Sequence, residues 1–195
     1  MAEPCPEPAL ITRTSRELLG DRALPTVLRD RPVIFVMGAH GSGKSTVAQR
    51  LLPPAAHAVD GDGLRRAANL AGRNRRWSET FTDSPGLLLD GVDSLHRRYG
   101  VIRLLGELLR GRAEAGRRTV IIAGPVDTSI SLLYPELPCE LGASLLLRFP
   151  VGKGRKRLVA ERCAARGIEL EKGAPAAQLE PWSYDAVERF LDQLG

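Results

Sequence analysis

The 195-residue chain has few cysteines and aromatic residues, and it contains no long apolar run. Its three cysteines, Cys5, Cys139 and Cys163, are odd in number and lack metal-ligand spacing, which excludes a disulfide framework and favours a reducing compartment. No stretch approaches the roughly 20 apolar residues of a membrane span. Residues 1–8 are acidic and proline-rich and therefore lack the pattern of a secretory signal. We expect a cytoplasmic protein with no membrane contact.

Lysine is also scarce: arginine supplies 24 of the 28 basic residues and lysine only four. The formal charge of +5 and the isoelectric point near 9.5 permit contact with a nucleic acid. They do not require it, since a chain that binds a small nucleotide can be basic for that ligand alone. Hydrophobic residues make up 43% of the chain, which at this length is enough for one compact domain.

A glycine-rich segment carries the clearest functional signal. Residues 38–46 read Gly-Ala-His-Gly-Ser-Gly-Lys-Ser-Thr, which completes the phosphate-loop pattern G-x-x-x-x-G-K-S. An apolar, β-branched run at 32–37 precedes it and a helix-like run at 45–52 follows it, and these flanks argue against a chance glycine-rich turn. The predicted nucleotide-binding residues are Gly38, Ala39, His40, Gly41, Ser42, Gly43, Lys44, Ser45 and Thr46.

Each part of this loop has a defined task. Successive backbone N–H groups of a tight glycine turn face phosphate oxygens, and the N-terminus of the following helix adds partial positive charge. Lys44 reaches the β- and γ-phosphates, and Ser45 holds Mg²⁺ through its hydroxyl. The loop therefore predicts ATP and Mg²⁺ as cofactors.

Strand and helix signals alternate from residue 33 onward, which predicts an α/β fold with a doubly wound, five-stranded parallel sheet of the P-loop NTPase class. The predicted strands are 33–37, 56–60, 86–90, 119–123 and 144–149, and the predicted helices are 14–19, 101–115, 155–166 and 184–194. The predicted regions are a polar lead-in over 1–31 with a connector at 24–31, a nucleotide-binding core over 32–152, and a small helical C-terminal segment over 153–195.

A carboxylate ends the predicted strand 86–90. The apolar residues of this strand would lie in the sheet, so that Asp90 emerges at the carboxyl edge, where open α/β sheets bind their ligands. We therefore predict that Asp90 holds Mg²⁺ together with Ser45, and that Asp90 and Asp93 are the catalytic carboxylates, with Asp93 polarising water. The alternative for Asp90 is an ordinary acidic residue at a strand end, and a role for Asp93 is likewise open.

The order of these segments resembles the DnaA and Hda-like branch of the AAA+ ATPases over about residues 32–194. The resemblance lies in the phosphate loop, in 58–64, in 87–95 (Leu-Leu-Leu-Asp-Gly-Val-Asp-Ser-Leu), in the helix and strand at 104–124, and in 162–170. It implies an AAA+-like core with strand order 5-1-4-3-2 and a C-terminal helical remnant of a lid, with ATP bound between them. It also implies assembly with a protein partner or with further copies in DNA replication.

Several positions depart from the pattern of that family. Gly91 stands where the family has a second acid, Ala123 where a polar residue senses the γ-phosphate, and Glu140 where an arginine finger is expected. The second sensor arginine falls at Asp185, with Arg189 one helical turn later. An arginine finger is worth about 10³ to 10⁵ in rate, and a glutamate opposes the same charge. We therefore expect binding of ATP or ADP with slow hydrolysis by the chain alone.

A small-molecule kinase of the adenylylsulfate or gluconate type is the main alternative, because such kinases share the core and the length. Asp60 and Asp62 resemble the acidic pair that engages their acceptor, and the basic run 153–157 would act as a lid over phosphates. Strand order separates the two interpretations, since the first strand of most such kinases neighbours the third. In a third interpretation the chain is a binding module. The run 153–157 then contacts DNA or an acidic protein, and Trp77 in the cluster 73–77 stacks on a base.

Overall fold

The computed structural model describes residues 9–13, 18, 25–71, 78–95, 99–124, 142–148, 153–168 and 183–194. Within these ranges the strands are β1 (Ala9–Arg13), β2 (Val33–Gly38), β3 (His57–Asp60), β4 (Gly86–Asp90), β5 (Arg118–Ala123) and β6 (Gly142–Leu147). The helices are α1 (Thr26–Asp30), α2 (Lys44–Leu51), α3 (Gly61–Ala71), α4 (Tyr99–Glu114), α5 (Lys153–Ala165) and α6 (Tyr184–Leu194). A π-helical turn at Ser78–Thr82 and a 3-10 turn at Val92–Leu95 flank β4.

The strands form one parallel sheet in the order β1-β6-β2-β5-β4-β3. Without β1 this is the predicted order 5-1-4-3-2, so the parallel α/β fold is confirmed. The phosphate-loop strand β2 has β5 and β6 as neighbours, and β5 separates it from β4. That arrangement differs from the order of most small-molecule kinases.

The sheet has one strand more than predicted. Strand β1 pairs with β6 from Ala9 opposite Ala143 to Arg13 opposite Leu147. Residues 9–13, which the prediction placed in the lead-in over 1–31, thus form a strand, and the predicted connector contains helix α1. The sequence of β1, Ala-Leu-Ile-Thr-Arg, has an apolar run of only three residues, which is shorter than the runs that mark a buried strand. The predicted helix at 14–19 lies outside the described residues, apart from Leu18.

Helices cover both faces of the sheet because the central strands are apolar on both sides. Along β2, Val33 and Phe35 pack in a cluster with α3 and α4, whereas Ile34 and Val36 pack in a cluster with α1 and α2. This alternation follows from the two-residue period of a strand. The α1 and β1 residues Leu28 and Ile11 join the second cluster, which ties the N-terminal elements to the core.

Helices α5 and α6 have a small core of their own. Its buried residues are Leu158, Val159, Cys163, Val187 and Leu191. Cys163 is a small buried residue, and burial raises the pKa of its thiol. Of the described helices, none is long and apolar enough to cross a bilayer.

Candidate nucleotide-binding site

The predicted phosphate loop lies between the end of β2 and the start of α2. Gly43, whose left-handed backbone has a φ of 84°, is the N-cap of α2. A Cβ on Gly38 would lie 2.6 Å from Ser42 Oγ and 2.7 Å from the carbonyl oxygen of Leu147. Because β6 approaches the loop this closely, a side chain at position 38 would force Ser42 and the backbone of Leu147 to move. The loop is therefore held tightly against the sheet at its first residue.

Lys44 stands over the beginning of this loop. Its Nζ donates hydrogen bonds to the carbonyl oxygens of Gly38 at 2.9 Å and Ala39 at 2.8 Å. Ser45 and Thr46 follow in the first turn of α2, where both are exposed and no acidic residue is present. The loop thus combines an ammonium group, hydroxyl groups and the positive end of a helix dipole.

The predicted carboxylate lies at the same edge of the sheet. Asp90 is exposed at the end of β4, after a buried run from Gly86 to Leu89. In register, Asp90 lies opposite Asp60 at the end of β3. Ala123, which is buried, ends β5 between Asp90 and the loop. The parallel sheet therefore brings the loop and the carboxylate to one edge, as expected of an α/β ligand site.

Gly91, directly after the carboxylate of Asp90, has a backbone conformation that favours glycine. Its φ is 68°, in the left-handed region. A side chain in this region costs roughly 1–2 kcal/mol. Gly91 therefore fits a backbone that disfavours the second acid of the family pattern. Asp93 belongs to the 3-10 turn that follows, and its side chain is outside the described part of the structure.

Asp60 and Asp62 have local structural roles at the start of α3. Asp60 Oδ1 accepts a hydrogen bond from Gly63 N at 2.6 Å, and Arg65 donates to Asp62 Oδ1 at 3.2 Å. An acid that caps the N-terminus of a helix satisfies a free N–H group and complements the helix dipole. This geometry accounts for the acidic pair without a kinase acceptor.

Helix α6 begins against the phosphate loop. The backbone N of Tyr184 donates to the carbonyl oxygen of Gly41 at 3.0 Å. Ser183 Oγ accepts from Ala186 N at 3.0 Å and so caps the N-terminus of α6. Arg189 is exposed further along the helix, and the side chain of Asp185 is not among those described. The contact with Gly41 joins segments far apart in sequence, so no local pattern predicts it.

Two further predictions concern residues that the structure does not describe. Glu140 and the cluster 73–77 with Trp77 lie outside the described residues. Of the residues described, no three His, Cys, Asp or Glu side chains are grouped as metal ligands. Mg²⁺ in nucleotide sites needs only one or two carboxylates besides the phosphates, and Ser45 and Asp90 supply oxygen atoms of the kind it prefers.

Solved AAA+ structures share this fold. DnaA from Aquifex aeolicus bound to AMPPCP has a TM-score of 0.67 at 16% identity, over 84% of this chain and 55% of that one. The replication initiator DnaA bound to AMPPCP and single-stranded DNA has a TM-score of 0.71 at 16% identity, over 93% and 60%. A RuvB variant from Thermotoga maritima has a TM-score of 0.59 at 20% identity, over 84% and 53%. The chain thus spans 55% and 60% of the two DnaA chains, and the likeness is one of fold.

The sequence itself matches one family. The family described as AAA domain matches residues 33–131, which run from β2 past the end of β5. No curated protein resembles the chain significantly in sequence. The match includes the phosphate loop and Asp90, and the strand order agrees with it. The chain therefore belongs to the AAA-domain family, as a divergent AAA+ P-loop protein with a DnaA-like fold.

Proposed function

We propose that the chain binds ATP or ADP with Mg²⁺ and acts as a nucleotide-dependent switch or assembly subunit in DNA replication or its regulation. It hydrolyses ATP slowly by itself. One combination of features carries the proposal: a complete phosphate loop at 38–46 beside a left-handed Gly91 directly after Asp90. The first feature suits phosphate binding, and the second removes an acid that would activate water.

Lys44 and the helix α2 N-terminus form the phosphate-binding part of the proposed site. In the described conformation the Lys44 ammonium binds two loop carbonyls, so it already lies at the loop before a phosphate arrives. A phosphate oxygen is a stronger acceptor than a neutral carbonyl, because charge-assisted hydrogen bonds are about twice as strong. Ser45 and Asp90 would hold Mg²⁺, which neutralises phosphate charge when bound.

Slow hydrolysis follows from the residues beside the phosphate-binding part of the site. Gly91 has no carboxylate to activate water, and the buried methyl group of Ala123 offers no hydrogen bond to a γ-phosphate. Asp93 remains the proposed carboxylate for polarising water. General base catalysis typically contributes 10²- to 10⁴-fold, so without a carboxylate at position 91 bound ATP is hydrolysed more slowly.

A switch needs a second element that responds to the loop, and helices α5 and α6 supply it. The bond from Tyr184 N to Gly41 O links α6 to the phosphate loop. Arg166 pairs with Glu188, and Arg162 lies 3.4 Å from the same carboxylate, so that α6 moves with α5. A change at Gly41 on nucleotide binding would therefore reach both helices. The DnaA-like fold supports a role in replication.

Assembly in the presence of nucleotide tests this function. We expect light scattering with Mg²⁺ and ATP to detect a larger species than without nucleotide, because binding at the loop repositions α5 and α6. Lys44→Ala should remain in the small form, and Arg103→Gln, on the exposed side of α4, should assemble like the wild type. A chain that stays monomeric with ATP and DNA contradicts the proposal. ADP formation that rises with a small hydroxyl acceptor would favour a kinase instead.

A further inference from the structure

Helix α5 begins with an unusual concentration of positive charge. Four of its first five residues are Lys153, Arg155, Lys156 and Arg157, and its first turn contains no acid. The N-terminus of a helix carries the positive end of the helix dipole, where cations are unfavourable and anions are stabilising. This charge therefore opposes the stability of the helix, and a bound anion would relieve the repulsion.

The two halves of α5 differ in how their cations are used. In the second half, Arg162 lies 3.4 Å from Glu188 of α6, and Arg166, just beyond the helix, pairs with Glu188 and Asp192. These pairs hold α5 on α6. In the first half, Lys156 is exposed, and Arg157 pairs at 3.0 Å with Glu161 of the same helix while its side chain is 75% exposed. Lys156 and Arg157 therefore face solvent.

A further cation lies at the edge of the sheet that leads into α5. Arg148 directly follows β6, is exposed, and donates its backbone N–H to the carbonyl oxygen of Arg13 at 2.9 Å. Arg13 ends β1 and is also exposed. Strand β1 thus adds positive charge beside β6, on the side of the phosphate loop opposite Asp90. The carboxyl edge is basic at one end and acidic at the other.

Among the described residues, the side chains of this surface are charged and bring no large exposed apolar group with them. Leu158 and Val159 follow the cationic turn, but both are buried in the α5–α6 core. The one large apolar residue that is strongly exposed in the described ranges is Tyr99, which belongs to α4. Protein interfaces usually contain a buried apolar centre, whereas nucleic acids are bound largely through backbone phosphates. These features fit a phosphate backbone better than a folded acidic protein.

We propose that the start of α5, together with Arg148, is a binding surface for the sugar-phosphate backbone of nucleic acid. Lys156 and Arg157 contact phosphates from the first turns of the helix, and Arg148 contacts a neighbouring phosphate from the end of β6. Binding is independent of base sequence and needs no bound nucleotide, so it can be measured apart from the nucleotide switch.

Fluorescence anisotropy with a labelled oligothymidine of about 20 nucleotides tests the surface. We expect the double variant Lys156→Gln/Arg157→Gln to bind about tenfold more weakly at about 50 mM salt. The slope of log K against log salt should fall by about 1.4, because each lost contact to a single-stranded phosphate removes about 0.7. Arg103→Gln/Arg110→Gln on α4 removes the same charge and should bind like the wild type.

Further variants separate this surface from other sources of binding. Arg148→Gln, which leaves α5 unchanged, should also weaken binding and lower the slope, and it serves as the test if the double variant fails to fold. In the absence of ATP, Lys44→Ala should bind the oligonucleotide with the affinity of the wild type. Equal affinity of the wild type and both surface variants overturns the proposal, and so does loss of binding in Lys44→Ala. Tighter binding to polyglutamate than to the oligonucleotide would assign the surface to an acidic protein.

Discussion

Lys44→Ala is expected to weaken ATP binding by about 100-fold or more. A hydrogen bond to a charged group contributes roughly 1.5–3 kcal/mol, and each 1.4 kcal/mol is a factor of ten in affinity. The loss of two phosphate contacts therefore removes at least about two orders of magnitude. In the described conformation Nζ bonds the loop carbonyls of Gly38 and Ala39, and we expect the substitution to change folding stability little. Isothermal titration with ATP and Mg²⁺ measures the change.

Two variants control for charge and shape. Lys156→Gln removes one positive charge from an exposed position on helix α5 and should leave ATP affinity unchanged. Lys44→Arg keeps the charge, but the guanidinium is a wider, planar group, so affinity should still fall strongly. If Lys44→Ala bound ATP within about threefold of the wild type, less than 1 kcal/mol, residues 38–46 would not be the nucleotide site.

Arg112→Met is expected to lower the free energy of unfolding by about 3 kcal/mol, because it would leave buried acceptors without donors. Arg112 is fully buried on α4, at the edge of the sheet opposite the phosphate loop. Its guanidinium donates to the carbonyl oxygens of Phe81 at 2.5 Å, Ser84 at 3.0 Å and Arg118 at 2.9 Å, and Nε donates to Thr119 Oγ1 at 2.9 Å. These bonds join α4 to the start of β5 and to the segment before β4.

Urea unfolding of matched variants measures this loss. Arg110→Met makes the same change two residues earlier on α4, where the side chain is exposed, and should stay within about 0.5 kcal/mol of the wild type. The melting temperature should fall by roughly 2–4 °C for each kcal/mol lost. If both variants were equally stable, the Arg112 network would not stabilise the fold.

The stability difference between Arg112→Met and the wild type should not depend on pH in the neutral range. Burial, with a further contribution from the charge of Arg117, lowers the pKa of Arg112 to about 10. Above about pH 10 the folded chain loses this proton while the unfolded chain still keeps it. In that range the free energy of unfolding would rise with pH. Between about pH 6 and pH 9 the group is protonated in both states, so the difference stays constant.

The central strands and the phosphate loop were predictable because their signals are local. The apolar run at 33–37, the glycine pattern and the following helix lie next to one another in sequence, and a doubly buried strand has few alternatives to the sheet. The strand order followed from the family resemblance. Strand boundaries were less accurate: β6 begins at Gly142, two residues before the predicted 144.

The N-terminal elements were missed because their signal lies in a distant partner. Residues Ala9–Arg13 become a strand only through pairing with β6, more than a hundred residues later in the chain. Helix α1 has five residues and begins after Pro25, and its place is fixed by burial of Leu28 rather than by helical periodicity. Short elements of this kind depend on tertiary contacts for most of their stability.

The burial of Arg112 could have been predicted from its position in the sequence, although arginine is usually an exposed residue. Arg112 lies seven residues after Leu105 and four after Leu108, on the buried stripe of α4. A charged residue at such a position predicts a satisfied buried network, because a buried charge without partners is too costly. The carbonyls that satisfy it come from separate segments, so only the fold reveals them.

The central claim is that this chain holds ATP without rapid turnover. A single-turnover experiment tests it most directly: excess protein is mixed with radiolabelled ATP and Mg²⁺, quenched at intervals, and the fraction of ADP is measured. The account predicts tight binding that depends on Lys44 and a hydrolysis rate below roughly 1 s⁻¹, the lower end of ordinary enzyme turnover. Bound ATP converted faster than this by the isolated chain would contradict the account.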